Sequence, residues 1–299
     1  MKKEMSLAYI AIAIGVVSLA LSAIFVKLSA SPSGLTAFYR MAITVLIMLP
    51  FFVRNNLSEL QFFKIKDWII CIAAGTLLAL HFILWFESLN YTSVASSTVL
   101  VTLQPLFAFV GTYLIFHEKV SIKTIVAGLI AIGGSILISW GDFQISGSAF
   151  YGDMLALIAC ALVTGYFLLG QSVRGHITLT SYSIVVYGAS SVVLMIYVLI
   201  FEGTFIPVEK MDWLYFVLLA VIPNLLGHNL FNWAIKWVGA NTISMTILLE
   251  PVGATILAFL IFDEYLRLSQ IIGGIVVLIG LMLFLIDFKR LKNFFRKTT

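Results

Sequence analysis

The sequence predicts an all-α polytopic membrane protein of about ten transmembrane helices, arranged as two inverted five-helix repeats. Three observations carry this. Of 299 residues, 61% are hydrophobic and only 11% charged, with a mean hydropathy of +1.08, more apolar surface than a soluble core of ordinary size absorbs. The apolar residues fall into about ten runs near the ~20 residues a bilayer crossing needs. Residues 103–137 (LQPLFAFVGTYLIFHEKVSIKTIVAGLIAIGGSIL) return 146 residues later, at 249–283, as LEPVGATILAFLIFDEYLRLSQIIGGIVVLIGLML. The gapless alignment pairs Pro105 with Pro251, the Leu-Ile-Phe-x-Glu ending at Glu118 with that ending at Glu264, Gly128 with Gly274, and Gly134 with Gly280.

Span one (7–26) follows Lys2 and Lys3. It is long for the apolar stretch of a leader and has a repeat mate in span six, so no cleaved signal peptide is expected. Span two (35–53) carries Arg40 about five residues from its outer end. Span three (68–89) places His81, Trp85 and Ser88 along one helical face. Span four (94–116) contains Gln104-Pro105, whose proline frees the carbonyl of Val101. Span five (122–140) has a small-residue face of Gly128, Gly133 and Gly134.

Spans six (149–170) and seven (181–201) begin the second copy; Val186 stands where Arg40 would have its mate, so the halves have diverged. Span eight (213–235) carries Asn224, His228 and Asn232, with Lys236 just beyond, at i, i+4 spacing, and Pro223 frees the carbonyl of Leu219. That stripe could not face lipid. Glu250 lies ten residues into span nine (240–262), about 15 Å deep at ~1.5 Å per residue, the middle of a core about 30 Å thick. Its mate is Gln104, and Pro251 frees the carbonyl of Ile247. Span ten (268–286) repeats the glycine face as Gly273, Gly274 and Gly280, so spans five and ten are expected to brace the fold or to join copies in a homo-oligomer.

The domains expected are residues 1–145, the first repeat, and 146–299, the second, with a basic tail. Lys and Arg alternate by loop, and one side of the membrane collects about 14 of the 18. That side is cytoplasmic, with both termini inside. A period of five crossings is odd, so the second copy enters from the opposite side, as secondary transporters with a midplane site are built. The net charge of +4 belongs to these loops and does not suggest nucleic acid. Cys71 and Cys160 fall in apolar runs and read as packing residues.

No phosphate-cradling loop, dinucleotide fingerprint, metal-spaced cluster or nucleophile elbow is present, so no enzyme activity and no cofactor or metal is expected. The polar residues have structural readings too. Lys27, Lys236 and Arg40 could snorkel to the interface, and Glu250 could partner Arg40 or freed backbone.

Phe38-Tyr39-Arg40, the Gln104-Pro105 and Glu250-Pro251 pairs, Phe116-His117-Glu118-Lys119, Phe262-Asp263-Glu264 and the glycines of spans five and ten form a set at characteristic spacing. Together they resemble the drug/metabolite transporter superfamily, in particular its EamA-type members with two five-helix repeats. The resemblance covers nearly the whole chain. It implies a basket of ten helices, a cavity lined mainly by spans one, three, four, six, eight and nine, and alternating access. Such members move amino acids, related metabolites or toxic organic compounds, frequently outward.

The expected function is therefore that of a secondary transporter moving a small organic solute across the cytoplasmic membrane by alternating access, working as an exporter. Substrate-binding or coupling roles are expected for Glu250, His228, Asn232, Asn224, His81, Trp85, Gln104 and Arg40. Membrane lipids are partners, and protons are a candidate coupling ion through Glu250, since charge is costly at mid-membrane. Two other classes stay open: a membrane enzyme acting on a lipid head group with His81, His228 and Glu250 as acid/base groups, and a non-transporting scaffold.

Overall fold

In hydrocarbon a backbone must satisfy its own polar groups, and a chain of long apolar runs does so by forming helices. The computed structural model describes residues 2–140, 147–262 and 267–285. Among them the helices are α1 (Lys2–Leu28), α2 (Ser33–Asn55), α3 (Ile65–Ser88), α4 (Val94–Val101), α5 (Gln104–Phe116), α6 (Ile122–Ser139), α7 (Gly147–Val173), α8 (Leu179–Tyr197), α9 (Asp212–Leu219), α10 (Asn229–Ile247), α11 (Glu250–Phe262) and α12 (Leu268–Leu285), with no strand. A 3-10 helix, Leu57–Phe62, joins α2 to α3, and π-helical turns occupy Val198–Glu202 and Ala220–His228. The basic tail, the boundary at 145/146 and the connector holding Glu264 lie outside the described residues.

Eight helical stretches are long and apolar enough to cross a membrane, while Ile122–Ile138 and Glu250–Ile261 are shorter. The departure from ten uninterrupted runs has local causes. Span four breaks at Thr102–Leu103 and span nine at Leu248–Leu249, the same place in each half, immediately before the Gln-Pro and Glu-Pro pairs. A proline cannot donate to the carbonyl four residues back, so the helical ladder fails there. Spans eight and nine form one stretch, Asp212–Ile247, that turns at Gly239 with φ 76° and ψ 165°, a region open essentially to glycine alone. With that turn counted, the chain makes ten passes, five per half.

The surface is apolar, unlike that of a water-soluble protein, while the interior combines an apolar core with buried polar groups. Leu46, Phe51, Val110, Leu199, Phe201 and Met282 are exposed, whereas Arg40, Asn224, Asn232, His81, His228, Gln104 and Glu250 are buried. The exposed apolar side chains face the position of lipid, and the polar ones are withdrawn into the interior. α6 packs on α12 so closely that a Cβ on Gly280 would stand 2.6 Å from the backbone N of Ala131, and one on Gly134 2.6 Å from that of Val277. The small faces of spans five and ten thus serve each other within one chain; at Gly133 nothing lies within 4 Å of such an added atom.

Hydrogen bonds between connectors sort the loops into two ends. At one end Asp212 holds the connector 29–31, Asn90 donates to Ser33 (3.4 Å), and Thr92 donates to Asp153 (2.8 Å). At the other, Glu59 accepts from the Thr178 N–H (2.8 Å), His176 meets Asp67 (3.0 Å), and Gln171 joins Glu118 (3.4 Å) to the Ala240 N–H (2.6 Å). Among the described residues, connectors one, three and seven gather at the first end and connectors two, four, six and eight at the second.

Candidate functional site

The two helix breaks meet near the centre of the molecule. Gln104 and Glu250, each the first residue of the helix resuming after its break, line a cavity of about 20 Å³ with Leu19, His81, Trp85, Val101, Val163, His228 and Ile247. These residues come from spans one, three, four, six, eight and nine. The space holds about one water molecule, so this conformation is closed around its centre.

Five of the eight sequence candidates share this cavity. His81 Nδ1 donates to the Ala159 carbonyl at 2.9 Å, and its ring stacks with Trp85 at 5.8 Å between centroids. His228 stacks on Phe167 at 6.0 Å and lies 6.5 Å from His81. Trp85 Nε1, Gln104 Oε1 and His228 Nδ1 are buried without a hydrogen-bond partner among the described residues. An unmet buried polar atom costs about 1–3 kcal/mol, and three on one cavity wall form a site able to donate to and accept from a guest.

The other three candidates stand behind that wall. Arg40 is 0% exposed, which excludes snorkelling to the interface. Its Nε donates to Asn224 Oδ1 (3.0 Å), its Nη1 donates to Ser22 Oγ (2.9 Å), and its guanidinium carbon sits 4.1 Å above the Phe82 ring. Asn224 also donates to Thr44 Oγ1 at 3.0 Å. Among the described residues no ion pair joins Arg40 to Glu250, so Glu250 is not held as a salt-bridge partner. Asn232 donates to the hydroxyls of Tyr166 and Tyr187.

The single polar stripe expected on span eight is therefore corrected. Asn224 faces span two, His228 the cavity, Asn232 the tyrosines, and Lys236 is exposed beside Trp237. The π-helical stretch Ala220–His228 turns Asn224 away from His228, because a π turn takes more residues than 3.6 and rotates i, i+4 neighbours off a common face; Asn232 and Lys236 follow on regular α-helix, where each i, i+4 step drifts about 40° around the axis. Lys27, at the end of span one, is exposed with its ammonium donating to the Leu89 carbonyl at 3.2 Å, as snorkelling would have it.

Sequence reasoning missed the apolar lining, Leu19, Val101, Val163 and Ile247, because an apolar residue facing a cavity reads like one facing lipid. It also missed Tyr166, Tyr187 and Ser22, whose partners are set only by tertiary packing. Among the described residues no group of three His, Cys, Asp or Glu is placed to hold a metal ion.

A family model described as "EamA-like transporter family" matches twice, over residues 6–140 and 150–286. An uncharacterized transporter of Archaeoglobus fulgidus is 23% identical over 91% of this chain and 94% of its own length. The Bacillus subtilis transporter YetK is 24% identical over 92% and 87%, and a WAT1-related protein of Arabidopsis thaliana 28% over 83% and 77%. A solved crystal structure superposes with a TM-score of 0.74 at 17% identity, covering 97% of this chain and 99% of that one.

Proposed function

Given that this chain belongs to the EamA-like transporter family and is a multi-pass membrane protein, we propose that it is a secondary transporter moving a small organic solute by alternating access. The solute is an amino acid, a related metabolite or a toxic organic compound. It binds at His81, Trp85, Gln104, His228 and Glu250, while Arg40, Asn224 and Asn232 fix the helices behind them. The observation that carries this reading is the closed central cavity at the paired helix breaks, lined by three unpartnered polar atoms and one carboxyl group. Corresponding interruptions in two inverted halves are where carriers of this architecture place their sites.

The protein resides in the cytoplasmic membrane with both termini inside, as the distribution of basic residues supports. It works as an exporter, a direction taken from the resemblance set out above. Glu250 carries the coupling proton, since a lone carboxyl group at mid-depth with no ion-pair partner can exchange one as the cavity opens to either side.

Reconstituted protein should show saturable solute flux driven by a pH gradient. Glu250→Gln should abolish the pH-gradient dependence, and His228→Ala should lower flux about tenfold, the effect of losing one hydrogen bond to the solute. Flux unchanged in both variants would remove these residues from the pathway.

A further inference from the structure

The two ends of the molecule are closed by the same device, used twice. Asp67, two residues into α3, accepts from the N–H of Lys64, three residues back (3.0 Å). Its other oxygen meets His176 Nε2, across the boundary between halves, at 3.0 Å. Asp212, which begins α9, accepts from the N–H of Glu209, also three residues back (3.0 Å). It reaches across the same boundary to Ser31 Oγ (2.6 Å), Ser29 Oγ (3.1 Å) and the Ala30 N–H (2.9 Å). Asp212 lies 145 residues after Asp67, and His176 lies 145 after Ser31. Exchanging the halves thus converts one contact into the other.

Each contact is doubled nearby. Glu59, in the connector before α3, accepts from the N–H and hydroxyl of Thr178 and from the hydroxyl of Ser181 at the start of α8. Glu202, in the connector before α9, accepts from the Gly34 N–H at the start of α2 (2.8 Å). At both ends, acids preceding the third pass of one half tie down the turn between the first two passes of the other. Those turns join spans one and two and spans six and seven, and spans one and six line the central cavity.

We infer that Asp67 and Asp212 are the latches of two opposed gates, positioning residues that keep the cavity shut at the end carrying each one. Both are engaged in this structure, which accounts for a central space too small for any organic solute. Transport requires one latch to open while the other holds, because two open latches would leave a leak through the molecule. The inference rests on the alternating-access reading, and its test reads access to the cavity without any solute or flux.

The test uses Val163→Cys, on the cavity wall, in a background carrying Cys71→Ala and Cys160→Ala, reconstituted in vesicles and exposed to a membrane-impermeant methanethiosulfonate reagent from either face. His176→Ala and Ser31→Ala each remove a cross-half bond while sparing the hydrogen bond that the aspartate accepts from the N–H three residues back. His176→Ala should speed labelling about tenfold from the face of the even-numbered connectors only, the population shift expected for one lost bond to a charged group. Ser31→Ala should do so from the opposite face only. Asp67→Asn and Asp212→Asn should reproduce the same sidedness. Unchanged labelling in all four variants, or equal acceleration from both faces, would overturn the assignment. Lost flux in Glu250→Gln would leave it standing.

Discussion

Arg40 and Glu250 are both ionisable groups buried in a low-dielectric interior, and the chain treats them differently. Arg40 is surrounded by Ser22, Asn224 and the face of Phe82, a built cradle for a permanent cation. Glu250 stands on a cavity wall, where its surroundings change when the cavity opens. Under the proposed function the first arrangement fixes helices and the second suits a cycle. Asn224→Ala should therefore lower stability by about 2 kcal/mol, by stranding part of a buried charge, while flux at saturating solute persists; thermal unfolding and a flux assay on the same preparation check both. Glu250 and Gln104 were legible in the sequence from their depth and the prolines that follow them. The facing of Asn224 was not, because a π-helical turn changes the register without a residue pattern that announces it, nor was that of Asn232, whose tyrosine partners are set by tertiary packing.

At the scale of elements, the repeat visible in the sequence became two matched helix breaks and one tight crossing. The crossing of α6 and α12 depends on backbone approach at Gly134, Gly273 and Gly280. Gly280→Val should destabilise by more than about 3 kcal/mol through overpacking against Ala131, whereas Gly133→Ala should change little because nothing lies there; melting curves in detergent distinguish them. The glycines were readable as a helix-packing face, but whether a partner was internal or a second copy was not.

The 3-10 helix before α3 supplies the element with a pH response. Partial burial favours protonation of Glu59, yet hydrogen bonds from Ser181, Thr178 and Asn56 outweigh it and hold the carboxyl below its ordinary 4.5. A carboxyl whose value is lowered by docking stabilises the docked state above 4.5 and loses that stabilisation as pH falls through the lowered value. Hydrogen-exchange protection at the Thr178 N–H should accordingly drop below pH 4.5 in the wild type. In Glu59→Gln, that pH dependence should be absent.

For the whole molecule, composition and repeat made the class, the number of passes and the inversion legible before any coordinates, since hydrocarbon leaves helices little alternative and an odd period permits one relation between halves. The latches were less visible. Asp67-Trp68 and Asp212-Trp213 repeat the same dipeptide 145 residues apart, but an acid at the end of a span looks like any interfacial charge until its partner across the boundary is known. The closed centre was not legible either, because a conformational state is a property of packing and leaves no residue pattern.

The route proposed for the solute is the cavity between the two halves. It is tested most directly by following flux and thiol labelling together in Val163→Cys on the background lacking Cys71 and Cys160. Saturating solute should slow labelling about tenfold, as occupancy of a shared site requires, and the labelled protein should cease to transport. Labelling at an unchanged rate with flux intact after modification would exclude this route.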